Sequence, residues 1–138
     1  MGRSRERKVY MDTLLNENLP IYMQIMDKIR AAIVSGELKA GEKIATVREL
    51  AEDFGVNPNT MQRALSELER EGLLVSERTA GRFVTKDTGI IDAVRRAAAE
   101  EIVKEFLQKM RNMGFTREQI EDFFREAEVE DAGADAAV

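Results

Sequence analysis

The chain has 138 residues, 43% of them apolar, and a formal net charge of −5, enough for one small domain and an appendage but not for two large cores. It has no cysteine, which excludes disulfides, thiol redox chemistry and cysteine metal sites, and no histidine, which removes the commonest general base and metal ligand. Catalysis would have to rest on carboxylates alone. With no apolar run near the roughly eighteen residues of a membrane span, and no apolar leader, the expected setting is soluble and cytoplasmic.

Residues 1–18 read as an N-terminal arm opening on M-G-R-S-R-E-R-K, four basic residues and one acid. Such an arm can track phosphates, but a loosely held terminus is the plainer reading. From Pro20 to Ser35 the apolar positions Ile21, Ile25, Ile29, Ala32 and Ile33 follow helical spacing, Met26 widens the stripe, and Gly36 ends it. Gly36 to Lys43 is a turn, with Leu38 and Ile44 as its core anchors.

Thr46 and Glu49 have capping-box spacing, and Val47, Leu50, Ala51 and Phe54 give the next helix one apolar face about two turns long, closed by Gly55. Asn57 then caps a further helix with Pro58 at its first position. Its buried face is Met61, Ala64, Leu65 and Leu68, and Gly72 ends it. Two short helices joined this tightly are a helix-turn-helix. The exposed residues of the second include Asn59, Thr60, Gln62 and Arg63, types that make paired hydrogen bonds to base edges in the major groove. Any surface helix can show such residues, and the flanking sequence decides. Leu73 to Val75 and Phe83 to Val84 are apolar runs separated by a polar turn carrying Arg78, Gly81 and Arg82. A hairpin directly after the second helix is the wing of a winged helix, and its basic tip can lie on phosphates. Lys43 and Arg48 flank a helix N-terminus, where cations and free N–H groups together favour a phosphate.

At this point P-I-Y-M-Q-I, G-E-L-K-A-G-E-K-I, V-R-E-L-A, F-G-V-N-P-N-T, the A-L-x-x-L-E-x-E-G-L-L run and the wing together resemble the DNA-binding domain of GntR-superfamily transcription regulators, over about Pro20 to Val84. The N-P-N-T turn and a tail of only about fifty residues are most similar to the small YtrA-like branch. Two departures stand out: Ile44-Ala45-Thr46 replaces the usual L-P-S, and Thr79-Ala80-Gly81 replaces the wing's G-x-G. The resemblance implies a DNA contact at Arg48 and a packing role for Tyr22. The candidate DNA contacts are thus Lys43, Thr46, Arg48, Asn57, Asn59, Thr60, Gln62 and Arg63, with Arg78, Gly81 and Arg82 on the wing.

After a short link, Ile91, Val94, Ala98, Ile102, Phe106, Met110 and Met113 keep steps of three and four over more than six turns. A helix of about 24 residues is roughly 36 Å long, more than one winged helix can cover, so part of the stripe is expected to meet a second copy of the chain. Gly114 ends it, Thr116 and Gln119 form a second capping box, and Ile120, Phe123 and Phe124 give a final helix its apolar face. Residues 128–138 alternate acids with alanine and glycine and read as an acidic, disordered tail. The whole acidic excess lies past the wing: residues 89–138 carry 7 Lys and Arg against 12 Asp and Glu, whereas residues 1–88 are balanced. The pairs Glu69/Glu71, Glu100/Glu101 and Glu121/Asp122 step by one or two along helices and point apart, so they read as solvated faces rather than catalytic or metal sites.

The expectation is therefore a mostly α chain with a small β-wing. A winged helix-turn-helix spans residues 19–86 and a two-helix dimerisation region spans 89–127, carrying Ile91, Val94, Ala98, Ile102, Phe106, Met110, Met113, Ile120, Phe123 and Phe124. Its function would be that of a homodimeric, sequence-specific regulator, a repressor by resemblance, binding double-stranded DNA at a palindromic operator, with no enzymatic role, cofactor, metal or membrane contact. The alternative is a winged-helix protein-interaction module that binds no DNA. No effector is legible, and about fifty helical residues are few for a cavity of several hundred Å³ within one subunit.

Overall fold

The computed structural model describes the backbone of residues 18–136 and the side chains of residues 18–130, so most of the basic arm and the last residues of the expected tail lie outside the described residues. Seven elements follow in order: α1 (Ile21–Val34), α2 (Val47–Phe54), α3 (Pro58–Arg70), β1 (Leu74–Glu77), β2 (Gly81–Val84), α4 (Thr88–Asn112) and α5 (Arg117–Ala136). The described residues form two compact units that divide after Arg95.

In the first unit local chemistry sets the helix ends. The Thr46 hydroxyl accepts the Glu49 backbone N–H at 3.2 Å and itself donates to the Glu49 carboxylate at 3.1 Å. Gly55 turns left-handed at φ 68°, and the Asn57 side chain accepts the Asn59 N–H at 2.8 Å to start α3 after a three-residue turn. Helices α1, α2 and α3 close on one core in which Ile25, Met61, Ala64, Leu65 and Leu68 lose all contact with solvent. The bidentate pair of Arg30 with Glu71 ties α1 to the end of α3, and Asp27 joins it at 2.7 Å.

Strands β1 and β2 pair antiparallel in the register Leu74↔Val84, Val75↔Phe83, Ser76↔Arg82 and Glu77↔Gly81. The Ala80 N–H closes the turn on the Glu77 carbonyl at 3.1 Å, and Gly81 follows at φ 112°. Neither Thr79 nor Ala80 has a positive φ, so the missing first glycine of the wing costs no strain. The segment before α2, expected only as a turn, also pairs with β2. Val84 N–H donates to the Glu42 carbonyl at 2.8 Å, Ile44 N–H donates to the Arg82 carbonyl at 3.0 Å, and Lys43 bridges Phe83. Strand β2 is thereby paired on both of its edges.

The boundary expected near residue 86 moves to Arg95. Ile91, assigned to a dimer face from the sequence, is only 6% exposed and belongs to the winged-helix core, and Val94 packs against that core beside it. The reason is topological: α4 starts three residues after β2, so its first two turns cover the same core the wing closes. Arg95 secures them by donating to the Val34 carbonyl at 2.8 Å.

In the second unit the rest of α4 and all of α5 form a hairpin. Gln119 N–H donates to the Thr116 hydroxyl at 3.3 Å and Thr116 N–H to the Gln119 side chain at 2.9 Å, a complete capping box. Phe106 meets Phe124 with ring centres 5.5 Å apart, and Phe115 meets Phe123 edge-to-face at 5.3 Å. Ile120 is 4% exposed within the chain, which makes it a core residue of the subunit and corrects its assignment to the dimer face. The tail expected from Glu128 onward as disordered instead continues α5 as far as Ala136.

Candidate nucleic-acid interface

The N-terminal turns of α2 and α3 and the tip of the wing carry the polar groups singled out in the sequence. Arg48, in the first turn of α2, is exposed and makes no ion pair with any described residue. Lys43 is exposed as well, and its stem crosses the wing glycine so closely that a Cβ on Gly81 would stand 3.0 Å from the Lys43 Cε. Gly81 holds its place through its positive φ of 112°, since the Lys43 stem is an exposed side chain that can shift. Arg78 stands exposed in the turn, without an ion-pair partner among the described residues.

On α3, Asn59, Gln62 and Arg63 are exposed and Thr60 is half-buried. The Gln62 amide donates to the Ser66 hydroxyl one turn on at 3.0 Å, and the Arg63 guanidinium lies over the Tyr22 ring of α1, 3.8 Å from its centre. Two expected contacts have their acceptors occupied: the Thr46 hydroxyl and the Asn57 side-chain oxygen are the caps of α2 and α3. Both residues sit at the surface expected for them, but these groups primarily hold the two helix ends that present the others.

Arg82 departs from the expectation of a free cation at the wing. Its side chain is 17% exposed and its Nε donates to the Glu69 carboxylate, which also accepts the Ser76 hydroxyl. Ser76 and Arg82 are cross-strand partners, so both reach the same carboxylate on the last turn of α3 and brace the wing against that helix. Burial pushes the Glu69 carboxyl up, but the Ser76 hydroxyl and the Arg82 guanidinium outweigh it and hold the group below its ordinary value. Glu69 is half-buried rather than the solvated acid expected from i, i+2 spacing, whereas Glu71 stays exposed as expected. Each has a partner brought back by the chain, Arg82 and Arg30 respectively. No group of three or more acidic residues able to hold a metal occurs among the described residues.

Three packed helices with a tight α2–α3 turn, a hairpin braced against α3, and exposed cations at the start of α2 and at the hairpin tip define a winged helix-turn-helix regulator of transcription. The chain belongs to the GntR family: the sequence profile of "Bacterial regulatory proteins, gntR family" matches residues 21–84. It is similar to the HTH-type transcriptional regulator YhcF of Bacillus subtilis, 37% identical over 80% of this chain and 91% of that one. It is also similar to the HTH-type transcriptional repressor YtrA of the same organism, 30% identical over 78% and 83%. Among solved structures, a GntR family transcriptional regulator from Listeria monocytogenes shares 34% identity over 81% of this chain and 98% of that one, with a TM-score of 0.75.

Proposed function

We propose that the protein represses transcription as a homodimer on a palindromic DNA operator. The observation that carries this reading is the exposure of Lys43, Arg48 and Arg78, none with an ion-pair partner among the described residues, on the unit that also exposes the polar start of α3 and carries no acidic excess. In the proposed complex α3 enters the major groove with Asn59, Thr60, Gln62 and Arg63 toward base edges. Arg48 and Lys43 hold a phosphate at the start of α2, and the wing lies along the backbone with Arg78 foremost. Arg82 acts through Glu69 to hold the wing's stance.

Dimerisation is supported by an apolar surface on the second unit. Ala98, Ile102, Met113, Phe123 and Phe124 are exposed and Phe106 and Met110 half-buried, and Ile102 and Met113 are about two-thirds exposed, at 67% and 64%. A face this apolar is stable in water only when covered, and a two-fold contact between identical hairpins covers it with itself. Repression is proposed by likeness to YtrA, a transcriptional repressor. The proposed setting is the cytoplasm, in keeping with a described chain in which no helix is long and apolar enough to cross a membrane. The proposed role is binding rather than catalysis.

Titrating labelled random-sequence duplex DNA with the full chain at rising salt tests the DNA reading against a purely protein-binding winged helix. Affinity falling linearly on logarithmic axes, with a slope of several ions, supports it. No binding at about 50 mM salt, where phosphate contacts are strongest, removes it.

A further inference from the structure

We infer that Tyr22 of α1 is a positioning residue for sequence readout, fixing the plane in which Arg63 of α3 presents its donors. The inference rests on the proposed docking of α3 in the major groove and adds a residue from a different helix to the reading apparatus.

The Arg63 guanidinium carbon stands 3.8 Å from the Tyr22 ring centre, a distance of full face contact. Tyr22 lies in the first turn of α1, half-buried against the core that α1 and α3 share, so the ring moves with the body that carries α3. Arg63 itself is exposed and has no carboxylate partner among the described residues, so nothing but the ring holds its long side chain in one rotamer.

A guanidinium stacks through its face and donates through its edge. A guanidinium held over the Tyr22 ring by its face keeps its N–H donors free for a base edge, and in the proposed arrangement the ring sets their plane. Paired hydrogen bonds to O6 and N7 of guanine require a fork coplanar with the base edge. A side chain already held in that plane loses little freedom on meeting the base, and a base presented at another tilt is rejected. Gln62 beside it is likewise held, through its bond to Ser66. The two long readers of α3 are thus pre-set by the protein before DNA arrives.

The test uses the full chain and its own selected operator, together with a set of duplexes changed one base pair at a time and a random duplex. Tyr22→Leu is expected to flatten discrimination by about three- to tenfold, the strength of one such stack, and only at the base pairs where Arg63→Ala flattens it. The double substitution loses no more than Arg63→Ala alone. Tyr22→Phe keeps the ring and keeps the pattern of preference. Arg63→Lys, which keeps the charge without the planar fork, loses it on an intact Tyr22. Affinity for the random duplex stays within about twofold throughout Tyr22→Leu and Arg63→Lys, because the charge facing phosphate is unchanged.

A ring that only supported the core would instead lower the melting temperature and weaken all duplexes alike. The inference is overturned by that pattern, or by a Tyr22→Leu protein whose preferences match those of the unsubstituted chain. If the unsubstituted chain prefers no sequence over any other, the proposed function falls and takes this inference with it, an outcome distinct from an altered spectrum.

Discussion

Replacing Ile102 by glutamate perturbs the proposed dimer face with the least disturbance to the subunit. Ile102 is 67% exposed, so the chain's own packing loses little, and glutamate is the better helix former. Full burial of an isoleucine side chain is worth about 1.5 to 3 kcal/mol, of which about two-thirds, roughly 1 to 2 kcal/mol, remains to be gained at an interface. A two-fold contact counts the residue twice, giving about 2 to 4 kcal/mol, or a dissociation constant raised about 30- to 1,000-fold. Enclosing an unpaired carboxylate adds to this, so the dimer opens rather than bury it. Sedimentation velocity over a concentration series reads the result, with thermal melting alongside. The unsubstituted chain is expected as a dimer and Ile102→Glu as a monomer that still melts cooperatively. A variant that dimerises as tightly as the original would place the contact away from Ile102.

Arg48→Ala should leave the melting temperature unchanged, since the side chain has no described ion-pair partner, while lowering the salt slope of DNA binding by about one ion; an unchanged slope contradicts a phosphate contact there. Gln62→Ala should alter which sequences bind best, whereas Arg78→Ala should weaken all sequences about equally, and competition binding against a duplex panel separates the two. Glu69 has its folded-state pKa held below the ordinary value of 4.5, so its contribution to stability is present above that value and is lost as pH falls below it. Melting temperatures followed from pH 6 to about pH 3 should therefore fall more steeply for the original chain than for Glu69→Gln, and parallel curves would contradict the brace. Met61→Ala, at a site with no solvent exposure, should cost about 2 to 5 kcal/mol by denaturant melting.

What the sequence made legible was local. The caps at Thr46, Asn57 and Thr116 lie within three residues of the N–H groups they satisfy, and the stripe of Met61, Ala64, Leu65 and Leu68 is set by helical period alone. The candidate interface was legible as exposed residue types near two helix starts and in the hairpin turn, and Lys43, Arg48, Gln62 and Arg78 are all exposed. What escaped reading depended on the path of the chain through space. Arg82 meets Glu69 thirteen residues away only because the hairpin folds back on α3, and nothing in the spacing of either residue announces the pair. Ile91 shares one unbroken stripe with Ile102, yet the first is covered by its own core and the second is not, since the stripe does not record where the winged helix ends. Tyr22 and Arg63 are forty-one positions apart, and their stacking follows from the packing of α1 on α3. The helical residues after Glu128 escaped for the opposite reason: their composition satisfies a solvated tail and a helix end equally well.

In the proposed complex two copies of this chain read one DNA site with α3 of each. Selecting bound duplexes from a random pool, and then weighing the complex formed on the winner, tests it most directly. The expected winner is an inverted repeat with half-sites about 34 to 36 Å apart, or a multiple of that, carrying two chains per duplex. No enriched sequence, or a single unrepeated site occupied by one chain, would contradict it.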